Sequence, residues 1–375
     1  MSTEEELAQL REAIARCDRG MLDQLRKRME LAARIGELKA CVGEPVVVKT
    51  VEANVLGRAR SAARTCGVSE DVLEEIFQAV IRASVERQHR IGCAQRDANS
   101  AGSILVIGAA GGMGGWFLRF AELLGHHTVG VDPAFTQEDD AHHASLATVP
   151  DLDAFDACIV AAPLRVMPEV LVDLIDRKPA GIVYELASIK TPLTDAHERA
   201  RELGVRLRSI HPMFGPGKAP YDPLTIVVCG GAEERGELES LFAHPYANWI
   251  DVSFEQHDAL MGWLLGLGHL TGMLFATALS RAGLDPDLLR ACASTTFLRQ
   301  ADTARSILDE DPALYFDIQH LNPAREGVYE TLASVLQEYR DATAGGDLEQ
   351  FAELLRAGAE SVHPRASGDG GTSPA

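Results

Sequence analysis

The chain is 375 residues long, 46% hydrophobic and 24% charged, the proportions of a soluble globular protein with room for two or three cores. A net charge of -20 argues against nucleic acid as a partner, whereas small anionic substrates stay open because local arginine and lysine clusters decide those. Seven scattered cysteines without a C-x-x-C pair read as reduced thiols of a cytoplasmic protein, with no structural metal site expected.

The first ninety residues are helical in pattern. Leu7, Leu10, Ile14, Cys17 and Met21, then Leu31, Ile35 and Leu38, follow a 3–4 spacing, and Gly43-Glu44-Pro45 ends this first helix. A second helix is expected from about Glu52 to Thr65. A third begins after Ser69, a suitable N-cap, and reaches about Gln88. Three helices make a thin core, so self-association is expected. Charged Glu4-Glu5-Glu6 at the start leaves no apolar signal core.

Gly92 to Gly102 reads as a polar linker. Ser103–Gly108 then has the pattern of a buried parallel strand entering a turn. Further strand-like runs follow at 127–131, 157–161, 181–184 and 225–228, separated by helical stretches such as 166–176, the alternation of a doubly wound parallel sheet. From about Phe254 the chain is helical to Gly358. Within it, Leu260 to Leu279 is expected to be a buried helix rather than a membrane span, and the Gly/Ser/Pro-rich tail 366–375 is expected to be disordered.

Gly108-Ala109-Ala110-Gly111-Gly112-Met113-Gly114 follows the first strand and opens a helix, where backbone amides can face a pyrophosphate. Ala109 takes the first position of the G-x-G-x-x-G pattern, and Gly111 and Gly114 take the others. Asp132, about twenty residues on, suits a ribose 2'-hydroxyl and would repel a 2'-phosphate, so NAD is the expected cofactor. Downstream lie Ser188-Ile189-Lys190 and His211-Pro212-Met213-Phe214-Gly215-Pro216, a histidine fixed by two prolines. A neutral imidazole is suited to taking a hydroxyl proton beside a nicotinamide ring.

Arg28 and Lys39 are eleven residues apart, so at about 100° per residue they fall within about 20° of one helix face. Two cations where a core would be apolar are costly unless they meet an anion. Arg11 lies about 100° away by the same count and could reach only a partner's site. Ser84 and Gln88, four apart, share a face.

On the turn at Gly111–Gly114, the run Glu185–Lys190, His211–Pro216, His257-Asp258 and His269, residues 103–345 resemble the prephenate dehydrogenase family. On Arg11, Arg28, Lys39, Glu52, Ser84 and Gln88, residues 5–91 resemble the all-helical chorismate mutase domain, and the order resembles the bifunctional chorismate mutase/prephenate dehydrogenases. The resemblance implies a multidomain fold: a three-helix all-α mutase-like module (1–91), a linker (92–102), an α/β Rossmann-type NAD domain (103–250), an all-α dimerisation domain (251–362) and a tail (363–375). It implies a cytoplasmic homodimer acting on small dicarboxylates, with no nucleic acid or membrane partner. Chorismate would become prephenate, which NAD oxidises with loss of carbon dioxide to 4-hydroxyphenylpyruvate, toward tyrosine. His211 would be the base and Ser188 would fix its geometry. Gly108, Gly111, Gly112, Met113, Gly114 and Asp132 would hold NAD, and His269 with Arg305 or Arg299 would bind substrate. In the mutase, Arg11 and Arg28 would hold carboxylates, Lys39 and Gln88 the ether oxygen, and Glu52 the ring substituent, with Ser84 beside them.

Val48 and Val51 depart from the family, which has a polar residue and an arginine there. A site that drops a cation and keeps Glu52 suits an ammonium, so the 4-amino-4-deoxy analogues, leading to 4-aminophenylpyruvate, are a second reading; Lys49 could also supply the charge. A non-catalytic dimerisation module on a monofunctional prephenate or arogenate dehydrogenase is a third.

Overall fold

The computed structural model describes residues 2–42, 44–94, 102–137, 139–242 and 246–362. The 366–375 tail and most of the linker at 92–102 lie outside them. The chain divides into two compact units, which meet in sequence at His257 and Asp258.

The first unit opens with α1 (Thr3–Val42), α2 (Lys49–Cys66) and α3 (Glu70–Ala94). Acidic Glu4, Glu5 and Glu6 sit in the first turn of α1, and Lys39 in its last, both favourable to the helix dipole. Ser69 Oγ accepts from the Val72 amide and caps α3 as its sequence suggests, but α3 runs on through Gly92 to Ala94, so the first three residues of the expected linker are helical. One glycine does not stop a helix that packing holds, since its cost is only about 1 kcal/mol. The core is indeed thin: Ala32, Ala59, Ala63, Ile81 and Val85 are buried, while Leu7, Leu10, Ile14, Met21, Leu31 and Leu38 remain exposed along α1.

The α/β part is an eight-stranded sheet of order β3-β2-β1-β4-β5-β6-β7-β8. Its strands are β1 (Ser103–Ile107), β2 (His127–Val131), β3 (His142–His143), β4 (Ala157–Val160), β5 (Ile182–Glu185), β6 (Leu207–Pro212), β7 (Leu224–Cys229) and β8 (Ala247–Val252). The first six are parallel, β7 runs antiparallel to β6, and β8 is parallel to β7. The order reverses around β1, between β2 and β4, and that switch point is where open α/β sheets bind ligands, outside the carboxyl ends of the strands. Helices α4 (Gly112–Leu123), α5 (Met167–Asp176), α6 (Thr194–Leu203) and α7 (Ala232–Leu241) pack around the sheet. Trp116, Phe117 and Phe120 of α4 pack their rings with Phe242 and Phe214 in a buried cluster.

Helix α8 (Phe254–Met261) continues through a π-helical segment, Gly262–Leu267, into α9 (Gly268–Ala282). Helices α10 (Pro286–Ala291), α11 (Thr295–Leu308), α12 (Pro312–Leu321), α13 (Arg325–Gly345) and α14 (Leu348–Val362) follow. Ser294 and Asp311 cap α11 and α12 with side-chain oxygens. The expectation that the apolar stretch 260–279 is buried fails for the protomer. Only 22% of its most apolar window is buried, and Leu260, Trp263, Leu264 and Leu274 are exposed. A contiguous apolar face left bare in one chain is the kind of surface that a second protein chain covers.

Candidate active sites

The glycine turn joins β1 directly to the first turn of α4. Gly108 leaves β1 at φ +82°, a conformation that favours glycine, and its amide donates to Val131 O at the end of β2. A Cβ at Gly114 would stand 2.0 Å from the Gly108 carbonyl oxygen, so the first turn of α4 can approach β1 this closely only with glycine there. The first intrahelical bond of α4 is Gly115 N to Gly111 O, which leaves the amides of Gly112, Met113 and Gly114 directed out of the helix N-terminus. Ala109 is buried, and its methyl fills the space over Gly130 of β2, so the missing first glycine of the pattern is a packing exchange. Asp132 begins the loop after β2. Its carboxylate accepts from the Ala110 amide (3.1 Å) and the Ala134 amide (2.9 Å), which fixes it beside the turn. These residues fit a dinucleotide: three amides for the pyrophosphate and an aimed carboxylate for the ribose.

His211 is a strand residue, the fifth of β6, buried at 4% exposure. Its Nδ1 lies 3.1 Å from His257 Nε2, and His257 is fully buried on α8. Ser188 is half-buried three residues past Glu185, and His211 lies two past Ser209. Glu185 and Ser209 are paired across β5 and β6, so both side chains emerge at the carboxyl edge of adjacent strands. The loop after His211 returns to the nucleotide turn, where the Pro216 ring packs 2.9 Å from the place a Cβ at Gly112 would take.

Beneath His211 is a buried ion pair that the sequence reading did not single out. Lys190 and Glu185 have side chains with no exposure, and Lys190 Nζ donates to Glu185 Oε1 and to Ile210 O, 2.9 Å each. Glu185 Oε2 accepts from the Ala187 amide at 2.7 Å. Burial alone would raise the Glu185 carboxyl, but Lys190, aided by His197, overrides this and holds it down at about 2. The pair ties the Glu185–Lys190 loop to the carbonyl just before His211. Its sequence signal is a Glu and a Lys five apart where a buried strand ends.

In the second unit, His269 lies on α9 one residue past its start, with its ring edge-on to Tyr315 at 4.8 Å. Burial lowers its pKa, which keeps it neutral, and its Nδ1 is buried with no hydrogen-bond partner among the described residues. A π-helical segment immediately before it is a frequent mark of functional helices. Arg299 and Arg305 are both exposed on α11, and Arg305 pairs with Asp302 at 2.9 Å.

In the helical module the structure brings α1 and α3 together at Arg28, whose guanidinium donates to Ser84 Oγ and to Val80 O. Burial lowers the Arg28 pKa, the mark of a cation held partly away from water. Gln88 is buried one turn further on, with Oε1 unpartnered among the described residues, a polar end that a ligand could satisfy. Lys39 Nζ donates to the carbonyls of Pro45 (2.9 Å) and Val46 (2.8 Å). Glu52 opens α2, and its Oε1 accepts from Tyr246 Oη at 2.6 Å. Val48 is the half-buried N-cap of α2, and Val51 and Lys49 are exposed. Arg11 is exposed on α1, seventeen residues before Arg28, or about 25 Å at 1.5 Å per residue, so it lies apart from Arg28 among the described residues of its own chain.

Residues 10–89 match the family model of chorismate mutase type II, and residues 253–357 match that of the prephenate dehydrogenase dimerization domain. The chain is 27% identical to the T-protein of Enterobacter agglomerans over 84% of this chain and 81% of that one. It is 25% identical to the 4-amino-4-deoxyprephenate dehydrogenase of Streptomyces pristinaespiralis over 68% of this chain and 89% of that one. In fold it is similar to the prephenate dehydrogenase of A. aeolicus in complex with hydroxyphenyl propionate and NAD+, at a TM-score of 0.56 and 19% identity, over 71% of this chain and 98% of that one. The bare apolar stretch 260–279 falls inside the dimerization-domain match. Residues 10–89 are therefore a chorismate mutase type II domain and residues 253–357 a prephenate dehydrogenase dimerization domain, and the chain has the domain order of the fused chorismate mutase/prephenate dehydrogenases.

Proposed function

We propose that this protein is a cytoplasmic homodimer that rearranges chorismate to prephenate and oxidises prephenate with NAD to 4-hydroxyphenylpyruvate and carbon dioxide, in tyrosine biosynthesis. The observation that carries the second activity is a buried His211–His257 pair at the sheet edge whose loop packs on the glycine turn. The amides of Gly112–Gly114 and the Asp132 carboxylate would hold NAD, which supplies a hydride acceptor. His211 takes the proton of the ring hydroxyl as the hydride leaves the carbon bearing it. The carbon–carboxylate bond then breaks with release of carbon dioxide; its electrons complete the aromatic ring and reach the ring oxygen, which takes a proton back to become the phenol. The proton is assigned to Nε2, since Nδ1 faces His257 and is oriented by it. Ser188, from the neighbouring strand end, positions the imidazole or the hydroxyl. Lys190 and Glu185 fix the backbone beneath. His269, neutral and polar in an apolar helix, contacts substrate, and Arg305 or Arg299 takes a carboxylate.

The mutase step is pericyclic and needs no nucleophile, only conformer selection and charge stabilisation. Arg28 holds one substrate carboxylate beside Ser84, and Arg11 extends toward the site of a second copy. Lys39 and Gln88 face the ether oxygen. Glu52 accepts from the ring substituent.

The second reading, the same two reactions on 4-amino-4-deoxychorismate and 4-amino-4-deoxyprephenate, is favoured by Val48 and Val51 beside a retained Glu52, and by the resemblance to the Streptomyces enzyme. Purified protein given NAD and either chorismate or 4-amino-4-deoxychorismate, with NADH followed, separates the two. NADH from chorismate supports the first reading, and NADH only from the amino compound supports the second. NADH from prephenate but from neither precursor removes the mutase activity.

A further inference from the structure

The mutase domain is joined to the NAD domain by a specific seam within the first unit. Ile81 and Val85 of α3 pack with Tyr221, and Val46, Val47 and Tyr246 pack on the same cluster. His89 Nδ1 lies 3.0 Å from Tyr221 Oη, and Arg82 pairs with Asp222 at 3.2 Å. Two of the seam's contacts fall on mutase machinery. Val46 belongs to the stretch whose carbonyls hold Lys39 Nζ. Tyr246, just before β8 of the NAD domain, donates its hydroxyl to Glu52 Oε1 at 2.6 Å.

We infer that Tyr246, a residue of the dehydrogenase half, is a positioning residue of the mutase site: it fixes the Glu52 carboxylate so that its other oxygen meets the ring substituent of the substrate. The inference rests on the reading of the helical module as a working mutase with Glu52 in its site. Burial, and then the neighbouring Glu52, raise the Tyr246 hydroxyl above its ordinary range, so it stays protonated and donates. A hydrogen bond from a hydroxyl to a carboxylate is charge-assisted and short, and it selects one carboxylate orientation out of several. The valine side chains at positions 48 and 51 have no donor for the Glu52 carboxylate, and the donor that meets it comes from outside the three helices. On this reading the mutase site is complete only with the NAD domain docked, and Tyr246 shares with Glu52 the discrimination between a hydroxyl and an ammonium on the ring.

The test uses the full chain. Mutase turnover is followed by loss of chorismate or its 4-amino analogue, and dehydrogenase turnover by NADH from the corresponding prephenate. Tyr246→Phe removes one oxygen, and its expected effect is a loss of about tenfold in mutase kcat/KM, with dehydrogenase turnover as in the parent. Tyr221→Phe, which removes the His89 hydrogen bond of the same seam, is expected to leave mutase turnover unchanged. In a Glu52→Ala background, Tyr246→Phe is expected to add nothing, because the residue acts through Glu52. Equal losses from Tyr246→Phe and Tyr221→Phe, or an undiminished effect without Glu52, would make Tyr246 merely part of the seam and overturn the inference. So would a Tyr246→Phe enzyme as active as the parent where Glu52→Ala is impaired. A parent with no mutase turnover on either compound overturns the mutase reading itself, and this inference with it.

Discussion

Replacing Lys190 with methionine should destabilise the first unit by about 3–5 kcal/mol at neutral pH, the cost of breaking a buried ion pair by removing one partner. Neither side chain of the Lys190–Glu185 pair has any exposure, so water cannot take the lysine's place. The carboxyl is held at about 2 against an ordinary 4.5, which at 1.36 kcal/mol per pH unit favours its charged form by about 3 kcal/mol, in line with that cost. A group whose folded pKa is depressed lends its stability above the unfolded value. In the parent, this contribution is therefore full above about pH 4.5 and is lost as pH falls toward about 2. Without Lys190, burial dominates and lifts Glu185 above its ordinary range, so the deficit of the variant is greatest at neutral pH and narrows in acid. Guanidinium unfolding followed by tryptophan fluorescence reports this, since Trp116 is buried in the same unit. The double variant Glu185→Gln/Lys190→Met should recover most of the loss, because two matched neutral groups leave no buried charge. A single variant within 1 kcal/mol of the parent, or a deficit that grows in acid, would refute the reasoning. Where the variant still folds, dehydrogenase kcat should fall, because the carbonyl before His211 has lost its tether.

Three further outcomes follow from the sites. His211→Asn should lower dehydrogenase kcat by about 10²–10⁴-fold while chorismate loss continues, and parallel loss of both activities would mark a folding defect. Asp132→Ala should weaken NAD and narrow its preference over NADP, read as kcat/KM with each cofactor; unchanged discrimination would remove the ribose role. Arg28→Ala should abolish mutase turnover with the oligomer intact by light scattering, whereas loss of the oligomer alone would make the module a dimerisation element.

Much of this fold is legible from pattern alone. Strands β1, β2, β4, β5 and β7 and helices α1–α3 follow from apolar runs and 3–4 spacing, because burial on both faces or on one face leaves a direct trace in residue type. The glycine turn and Asp132 are equally legible, since backbone approach and helix opening demand particular residues at fixed spacing. Strands β6 and β8 are not. Arg208, Ser209 and Pro212 interrupt β6, and β8 is an edge strand whose Asn248, Ile250 and Asp251 are exposed. Their strand character comes from pairing with β5 and β7, a property of the neighbours. The sequence by itself therefore determined the glycine turn, the shared helix face of Arg28 and Lys39 and the order of the domains, each set by local spacing. Only the tertiary structure decided that His257 faces His211, that Lys190 neutralises Glu185 under it, and that Tyr246 meets Glu52 across 194 positions of chain. Contacts between distant segments depend on how sheet and helices pack, and no periodicity in the chain records them.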